Sequence, residues 1–471
     1  MTEIAERLEE LEQLGLGRRL RMVSGPQGPT VLLDGKPVLL LCSNNYLGLA
    51  DHPRVREAAA DAAMRWGVGA GASRLVSGTM TIHRRLEERL ATFKRTEACL
   101  LFGSGYLANL GVIGALAGRD GVVFSDELNH ASIVDGCRLA RAEVVVYRHC
   151  DVEHLDWSLR RHGRRDGQLG RVIVTDSVFS MDGDVAPLRA ITELADFHGA
   201  RMIVDEAHAT GNLGPDGRGA VAQAGLEGEV DVVVGTLGKA LGSYGAYACA
   251  SAEMVRYLIN TARSLIFSTA PPPPAVAGAL AALNLLEERP HRVQRLRSNA
   301  RVLRQALAAE GFPVADIEMQ IVPLIVGDER TATRLCQAAI ERGVFAQAIR
   351  PPTVPAGTSR LRLTAMASHT ASELRTAAKM FGDITRGLGL DPAAMEPALA
   401  ERAIASAEHE ATEVSAAAFT ESSPFAWRTP SAAPFDVEHD AGRQPLPAPA
   451  ATRAASAPFD LERETSSARA A

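Results

Sequence analysis

Three short segments of the sequence place reactive side chains directly after predicted buried strands. Asp205 follows the apolar run 202–204, and Lys239 follows the run 230–234 after a glycine-flanked turn. A carboxylate at the end of a buried strand favours a cationic partner, and a lysine in such a place has a lowered pKa and forms Schiff bases. Residues 103–109 form a glycine-rich turn that enters a predicted helix, whose N-terminal N–H groups suit a phosphate.

A lysine, a carboxylate and a phosphate-binding turn are together the groups that hold pyridoxal 5′-phosphate (PLP). The lysine forms an imine with the cofactor aldehyde. The carboxylate keeps the pyridine nitrogen protonated, so that the ring accepts electrons from the Cα of a bound amino acid. Each group alone is more often a structural cap or one half of an ion pair. Their combination in this order predicts a PLP enzyme, and no metal site is predicted.

Apolar runs alternate with helical patterns around these groups. Runs at 98–102, 121–124, 144–147, 172–175, 202–204 and 230–234 are predicted strands. This alternation predicts an α/β fold with a mostly parallel sheet, helices on both faces, and function at the carboxyl ends of the strands. Residues 1–22 have the pattern of an amphipathic helix, and Asp34-Gly35 predicts a hairpin turn within 31–41.

Changes in composition predict four parts of the chain: an N-terminal helix and hairpin (1–45), a large PLP-binding domain (46–280), a smaller C-terminal α/β domain (281–390) and a tail (391–471). The tail is rich in Ala and Pro and has 4 Asp and 9 Glu against 6 Arg and no Lys, so we expect it to be largely disordered. It repeats Ala-Pro-Phe-Asp-x-Glu at 433–438 and 457–462. Low-complexity drift and a duplicated docking motif for an unknown partner both explain this repeat.

The charge distribution excludes some classes of protein. The net charge of −6 comes from the tail, and the near-neutral remainder offers no broad basic surface to nucleic acid. Residues 98–118 carry no charge, but their glycines and polar residues favour a strand, a turn and a buried helix over a membrane span. The acidic N-terminus is unlike a secretory signal, and six scattered cysteines are expected to be reduced, so a cytoplasmic protein is predicted.

Six motifs of the chain resemble those of the α-oxoamine synthase family, which are fold-type-I PLP-dependent acyltransferases. They are SNNYLGL (43–49), GAGASR (69–74), NHAS (129–132), FSMDGD (179–184), DEAH (205–208) and GTLGK (235–239), and the resemblance spans about 11–390. It implies a seven-stranded sheet domain, a smaller C-terminal domain and a homodimer with shared active sites. Segments 238–247 and 349–364 are most similar to the members that condense L-alanine with a pimeloyl thioester, pimeloyl-CoA or pimeloyl-ACP, in biotin biosynthesis.

The resemblance also implies roles for single residues toward the cofactor. Lys239 would hold PLP and move the α-proton, Asp205 would pair with the ring nitrogen, and His130 would stack on the ring. The other implied cofactor contacts are His208 and Ser180 at the ring oxygen, Gly105, Tyr106 and Thr236 at the phosphate, and Ser268 and Thr269 at the phosphate of the neighbouring subunit.

Substrate contacts are implied at a further set of positions. Arg362 and Asn44 would bind the amino-acid carboxylate, because a guanidinium makes a planar two-point contact with a carboxylate. Arg350 and Thr353 would lie on a segment that closes over the substrate, and His130 would face the substrate. Arg19 stands near a position that contacts the acyl group in the family, and a solvated helix face explains the basic cluster Arg18, Arg19 and Arg21 equally well.

Alternatives remain open at this point. Glycine acetyltransferases, 5-aminolevulinate synthases, serine palmitoyltransferases and acyltransferases of specialised metabolism share the same cofactor residues. A non-enzymatic interaction protein that acts through its tail is the alternative from another class. The presence of Lys239, Asp205, His208 and His130 argues against it, because degenerate scaffolds lose such groups first.

Overall fold

The structure is a computed structural model that describes residues 2–162, 170–314 and 319–396. Its helices are α1 (Glu3–Gln13), α2 (Pro53–Trp66), α3 (Thr81–Lys94), α4 (Gly105–Ala117), α5 (Ala131–Ala140), α6 (Val152–Arg161), α7 (Leu188–His198), α8 (Ala220–Ala224), α9 (Ala252–Thr261), α10 (Arg263–Ile266), α11 (Pro273–Glu288), α12 (His291–Ala309), α13 (Glu329–Glu341) and α14 (Ala371–Gly387). Its strands are β1 (Val23–Ser24), β2 (Thr30–Leu33), β3 (Lys36–Leu40), β4 (Ala98–Phe102), β5 (Val122–Asp126), β6 (Glu143–Tyr147), β7 (Arg171–Asp176), β8 (Arg201–Asp205), β9 (Val232–Thr236), β10 (Ala246–Ala250), β11 (Ile321–Gly327), β12 (Val344–Phe345), β13 (Gln347–Ile349) and β14 (Ser359–Thr364).

Seven strands form one large sheet in the order β4-β10-β9-β8-β7-β5-β6. Strand β10 is antiparallel to both of its neighbours, and the other neighbouring pairs are parallel. The predicted α/β fold and the six predicted strands are therefore confirmed. Because β4 and β9 run in the same direction on either side of β10, the carboxyl ends of β4, β5, β7, β8 and β9 share one edge of the sheet.

Helices cover both faces of the large sheet, because successive side chains of a strand point to opposite faces. Leu101 and Val204 belong to a hydrophobic cluster with side chains of α2, α3, α7 and α11, whereas Leu100 and Ile203 belong to a cluster with α4, α5 and α9. Residues 98–118 accordingly form β4, a turn and α4, as predicted. Within the described ranges, no helix combines the length and the apolar character needed to cross a bilayer.

A third hydrophobic cluster joins the N-terminal hairpin to side chains of α12, α13 and α14. The hairpin of β2 and β3 turns at Asp34 and Gly35, which both have positive φ angles (48° and 82°), as a two-residue hairpin loop requires. Strand β3 pairs in parallel with β12, and β11-β14-β13 forms a separate antiparallel sheet. The division of the chain into domains at 45, 280 and 390 stays a prediction.

The two ends of the described chain differ from the sequence pattern. The N-terminal helix ends at Gln13, earlier than the predicted 22, and Gly15 beyond it adopts a left-handed φ of 70°. At the other end, residues 391–396 form a short 3-10 helix and a β-bridge between Ile325 and Glu396, with Met395 buried in the third cluster. The tail predicted to be disordered lies outside the described residues from 397 onward.

Residues 391–396 allow a test of where the folded body ends. A chain ending after Glu396 should unfold at the same denaturant concentration as the full chain. A chain ending after Leu390 should lose about 1–3 kcal/mol of unfolding free energy, since it removes the buried Met395 side chain. Equilibrium unfolding of the three chains at matched concentration measures this difference. Equal midpoints for all three chains would contradict it.

Candidate active site

Polar groups meet at the carboxyl edge of the large sheet. Asp176, Asp205 and Thr236 are the last residues of β7, β8 and β9, and α4 begins at Gly105 just beyond β4. A Cβ atom built on Gly105 would lie 4.0 Å from the Cβ of Thr236, so the glycine turn lies beside the end of β9. Ser104 caps α4 by accepting the Leu107 N–H at 3.2 Å. The predicted phosphate-binding groups are therefore neighbours.

A chain of polar contacts connects Lys239 to Arg362. Lys239 Nζ lies 2.7 Å from His208 Nε2, and His208 Nδ1 lies 2.7 Å from the Tyr46 hydroxyl. Arg362 donates to the Tyr46 hydroxyl at 3.2 Å and to Asn44 Oδ1 at 3.3 Å. The residues predicted for the cofactor and those predicted for the amino-acid carboxylate thus lie in one continuous cluster.

The Asp205 carboxylate is oriented by two donors. Asn109 Nδ2 donates to Oδ2 at 2.7 Å, and the Ala207 N–H donates to Oδ1 at 2.8 Å. Asn109 also donates to Ser132 Oγ at 2.9 Å, and that oxygen lies 2.7 Å from His130 Nδ1. Asp205 is therefore coupled both to the helix that carries the glycine turn and to the predicted ring-stacking histidine.

Three members of this cluster were not among the predicted site residues. Tyr46 and Asn109 both stand inside motifs with a predicted function, 43–49 and 103–109, but their own side chains carried no signal that predicted a role. Asp176 ends β7 just as Asp205 ends β8, and its Oδ2 accepts the His130 N–H at 2.7 Å. A carboxylate at the end of a predicted strand was the available signal for Asp176.

Burial and neighbouring charges shift the pKa values in the cluster. Burial lowers the pKa of Lys239 to about 8, although the carboxylates of Asp205 and Asp176 favour its charged form. Burial, and then the charge of Lys239, lowers the pKa of His208 well below its usual range, and burial also lowers that of His130. Burial raises the pKa of Asp176. The amine of Lys239 is therefore available as a nucleophile near neutral pH.

Some predicted site residues contact other parts of the chain. The Arg350 guanidinium donates to the carbonyls of Gly15 and Gly17, the latter at 3.0 Å, and Arg19 Nη2 lies 3.4 Å from Gln337 Oε1. Thr353 is exposed on the turn after Arg350. Arg350 and Thr353 thus lie where the N-terminal segment meets the loop after β13, Arg19 lies against α13, and the roles of all three stay predictions.

The remaining predicted residues lie on the borders of the cluster. The Ser180 carbonyl accepts from Arg362 Nε, and the Tyr106 hydroxyl donates to Asp135 on α5. Ser268 and Thr269 follow α10, where Thr269 forms a β-bridge with Ser73. Among the described residues, the hydrogen bonds that connect Lys239 to Arg362 include neither Ser268 nor Thr269.

Comparison with known proteins shows the class of the enzyme. A family model described as aminotransferase class I and II matches residues 36–381, and the chain belongs to that family. It is 52% identical to the 8-amino-7-oxononanoate synthase of Geobacter metallireducens, over 82% of this chain and 98% of that protein. It is 53% identical to the synthase of the same name from Anaeromyxobacter dehalogenans, over 79% and 92%.

Solved structures agree with this class. A serine palmitoyltransferase from S. paucimobilis with a bound PLP–myriocin aldimine superposes with a TM-score of 0.78 at 34% identity, over 82% of this chain and 98% of that one. An 8-amino-7-oxononanoate synthase from Francisella tularensis superposes with a TM-score of 0.64 at 26% identity, over 75% and 99%. The chain is a fold-type-I, PLP-dependent enzyme of the acyltransferase type, and the predicted family and cofactor are confirmed.

The residues present fit this cofactor. Lys239 offers an amine with a lowered pKa, the buried Asp205 offers an oriented carboxylate, and the start of α4 offers N–H groups beside the Thr236 hydroxyl. These are a partner for the aldehyde, a partner for the ring nitrogen and a cradle for the phosphate. PLP supplies the electron sink, and the chain supplies the groups that orient it and move protons.

The lowered pKa of Lys239 predicts how cofactor capture depends on pH. Only the neutral amine attacks an aldehyde, so a pKa of about 8 in place of the ordinary 10.5 shifts the reaction to lower pH. The rate at which cofactor-free enzyme captures added PLP should rise through pH 8 and level off above it. Stopped-flow absorbance across pH 6–10 measures this rate. A rate that is still rising steeply at pH 10 would contradict the lowered pKa.

Proposed function

We propose that this chain condenses L-alanine with a pimeloyl thioester to give 8-amino-7-oxononanoate, CO2 and the free thiol, in biotin biosynthesis. The observation that carries the proposal is the similarity to 8-amino-7-oxononanoate synthases at 52–53% identity over 92–98% of their length. In the balanced reaction, a bond forms between the alanine Cα and the acyl carbonyl carbon. The C–S bond breaks, and the sulfur leaves as the thiol after taking up the proton lost from Cα. The carboxylate then leaves as CO2, and a proton from solvent takes its place at Cα.

Different residues of the cluster bind the amino acid, accept its Cα proton and orient the lysine amine. The Arg362 guanidinium, together with the Asn44 amide, binds the amino-acid carboxylate, since Arg362 already contacts the Asn44 and Tyr46 oxygens. Lys239 Nζ accepts the proton from the amino-acid Cα, because its pKa of about 8 lets the amine exchange protons near neutral pH. His208 lies between Lys239 and Tyr46 and orients the amine by its 2.7 Å contact.

A homodimer is part of the proposal. Met64, Val68, Val76 and Phe267 are apolar and largely exposed on the single chain, and Phe267 directly precedes Ser268 and Thr269. Large exposed apolar side chains on neighbouring segments are typical of protein–protein interfaces. Ser268 and Thr269 would then reach the phosphate in the partner's site. Light scattering of the purified enzyme should give twice the chain mass.

The test uses the purified full-length holoenzyme. L-alanine, glycine and L-serine are each combined with pimeloyl-CoA or pimeloyl-ACP, and with acetyl-CoA and palmitoyl-CoA. The readouts are the cofactor absorbance shift, CO2 release and the product mass. We expect turnover with L-alanine and a pimeloyl thioester, and the two pimeloyl arms identify the carrier. Turnover confined to glycine or L-serine would overturn the proposal in favour of another α-oxoamine synthase.

The serine palmitoyltransferase reaction is the second candidate, because structures of that enzyme superpose with TM-scores up to 0.78. The lower identity of 34–36% makes it the weaker one. An interaction protein that acts through its tail is tested with the chain that ends after Glu396. We expect the turnover of this shortened chain to match that of the full chain. A cytoplasmic location completes the proposal, and the free state of all six thiols suits a reducing compartment.

A further inference from the structure

A second group of buried ionisable side chains lies at the carboxyl edge of the large sheet, outside the cluster around Lys239. His149 follows β6 and lies between two carboxylates. Its Nδ1 is 3.0 Å from Asp126 Oδ1, and its Nε2 is 2.6 Å from Asp184 Oδ2. All three side chains are at most 12% exposed. The proposed mechanism uses none of them.

The two carboxylate contacts of His149 favour its charged, imidazolium form. An ionised carboxylate only accepts hydrogen bonds, so a ring that contacts two carboxylates donates from both nitrogens and is an imidazolium. Burial opposes this charge, but the hydrogen bonds to Asp126 and Asp184 raise the pKa of His149 well above its ordinary value. Asp126 is itself fixed, because it also accepts the Leu128 N–H at 2.9 Å and the Cys150 N–H at 2.8 Å.

His149 contacts both ends of the loop 179–184. At one end of the loop, the Phe179 ring packs edge-on against the His149 imidazole, with 4.4 Å between ring centroids. At the other end, Asp184 accepts the His149 Nε2–H. The loop is closed by hydrogen bonds from the Phe179 N–H to the Asp184 carbonyl at 3.0 Å and from the Gly183 N–H to the Phe179 carbonyl at 2.8 Å. His149 therefore holds this loop against the carboxyl ends of β5 and β6.

The other side of the same loop contacts two arginines of β14. The Ser180 carbonyl accepts from Arg362 Nε, and Asp182 Oδ1 accepts from Arg360 Nη1 at 2.6 Å. Arg362 is 6% exposed and Arg360 is fully buried. The orientation of the Arg362 guanidinium therefore depends on where the loop holds the Ser180 carbonyl.

We propose that His149 is a positioning residue for amino-acid binding. By bridging Asp126 and Asp184, it fixes loop 179–184. The Ser180 carbonyl of this loop then orients the Arg362 guanidinium toward the substrate carboxylate. This inference rests on the role of Arg362 in the proposed function. It assigns His149 no contact with the reacting atoms. Its effect should therefore fall on the affinity for the amino acid and leave the chemical step nearly unchanged.

The side chains of His149, Asp184 and Cys150 also resemble a metal site. The distances between them favour a direct hydrogen bond from His149 to Asp184 over a bound metal ion. Cys150 Sγ lies 3.7 Å from His149 Nε2 and 3.9 Å from Asp184 Oδ2, a sulfur, nitrogen and oxygen set that zinc accepts. The 2.6 Å contact between Nε2 and Oδ2 is a direct hydrogen bond, which a shared ion would replace. Burial also raises the pKa of the Cys150 thiol, which keeps it protonated.

The first experiment compares His149→Gln with the matched control His198→Gln. His198 Nε2 also contacts a carboxylate, Asp156 Oδ1 at 2.8 Å, but His198 lies at the end of α7 away from the loop. We expect His149→Gln to raise the KM and the Kd for L-alanine about tenfold, the effect of losing one charge-assisted contact. Its kcat should change less than threefold, its thioester KM should not change, and His198→Gln should match the wild type.

Four outcomes decide the proposal. A fall in kcat with an unchanged L-alanine Kd, or equal effects of both variants, would overturn it. Arg362→Lys is measured alongside: if it leaves the L-alanine Kd unchanged, the proposed role of Arg362 itself fails. If Arg362→Lys weakens binding and a folded His149→Gln does not, only the present inference fails.

A second measurement does not depend on any variant folding. Neutron crystallography of the wild-type holoenzyme should show hydrogen on both ring nitrogens of His149, with elemental analysis giving no stoichiometric zinc. A neutral imidazole, or zinc bound at one equivalent between His149, Cys150 and Asp184, would overturn the bridge. A third comparison returns to a variant: Asp184→Asn, which keeps an acceptor oxygen for the His149 Nε2–H, should raise the L-alanine Kd less than His149→Gln does.

Discussion

Lys239→Ala is expected to lower turnover by about four orders of magnitude, the largest effect of any single substitution in the chain. The change removes both the amine that holds the cofactor and the group that accepts the Cα proton. Steady-state CO2 release from L-alanine and a pimeloyl thioester measures it. The chain contains four lysines, and Lys239 is the one at the carboxyl edge of the large sheet.

The other lysines provide the controls for this prediction. Lys379 is exposed on α14, and Lys379→Ala should leave turnover unchanged. Lys94 contributes to a buried ion pair with Glu206, so its replacement would test stability and is not a suitable control. Borohydride treatment of the holoenzyme, followed by peptide mass mapping, should attach the cofactor to Lys239. Attachment to another lysine, or turnover of Lys239→Ala above about one per cent of wild type, would contradict the assignment.

Asp205→Asn is expected to lower turnover by about 10²–10³-fold, because a neutral amide does not stabilise positive charge on the cofactor ring nitrogen. The substitution keeps the size of the side chain. The oxygen of the new amide would still accept the Ala207 N–H. Asn109 Oδ1 is buried without a hydrogen-bond partner. If the Asn109 amide turns over, this oxygen is placed to accept a hydrogen bond from the new NH2 group. Loss of activity with little change in the unfolding midpoint is therefore the expected pattern.

Asp231→Asn is the matched control for this second prediction. Asp231 Oδ2 accepts the Met202 N–H at 2.7 Å at the opposite edge of the same sheet, so the control makes the same carboxylate-to-amide change beside a backbone N–H, far from the cofactor. Its turnover should stay within about twofold of the wild type, since one hydrogen bond there affects only stability. If both variants lose activity equally, or if Asp205→Asn keeps full activity, Asp205 is not the partner of the ring nitrogen.

Much of the fold was predictable because its signals are local. Each predicted strand is a short apolar run whose neighbours in sequence define it, and Asp34-Gly35 defines a hairpin turn by its own backbone preference. The end of α1 was not predicted correctly, because the apolar spacing continues past Gln13 while the backbone leaves the helix before Gly15. Strand β10 was also missed: its sequence is small and alanine-rich, and its pairing with β4 and β9 determines its conformation.

The chemical groups of this protein, and the strand ends at which they stand, can be predicted from the amino-acid sequence, because strand ends and helix starts follow from residues next to one another. Which of these groups contact one another depends on the folded, three-dimensional arrangement. The Arg362–Tyr46 contact joins residues 316 positions apart, and the Lys239–His208 contact joins the segments after β9 and β8 across the sheet edge. The bridge from Asp126 through His149 to Asp184 likewise connects the end of β5 with two separate loops. Such contacts depend on how the layers pack, and a chain read in one dimension carries no direct signal for that packing.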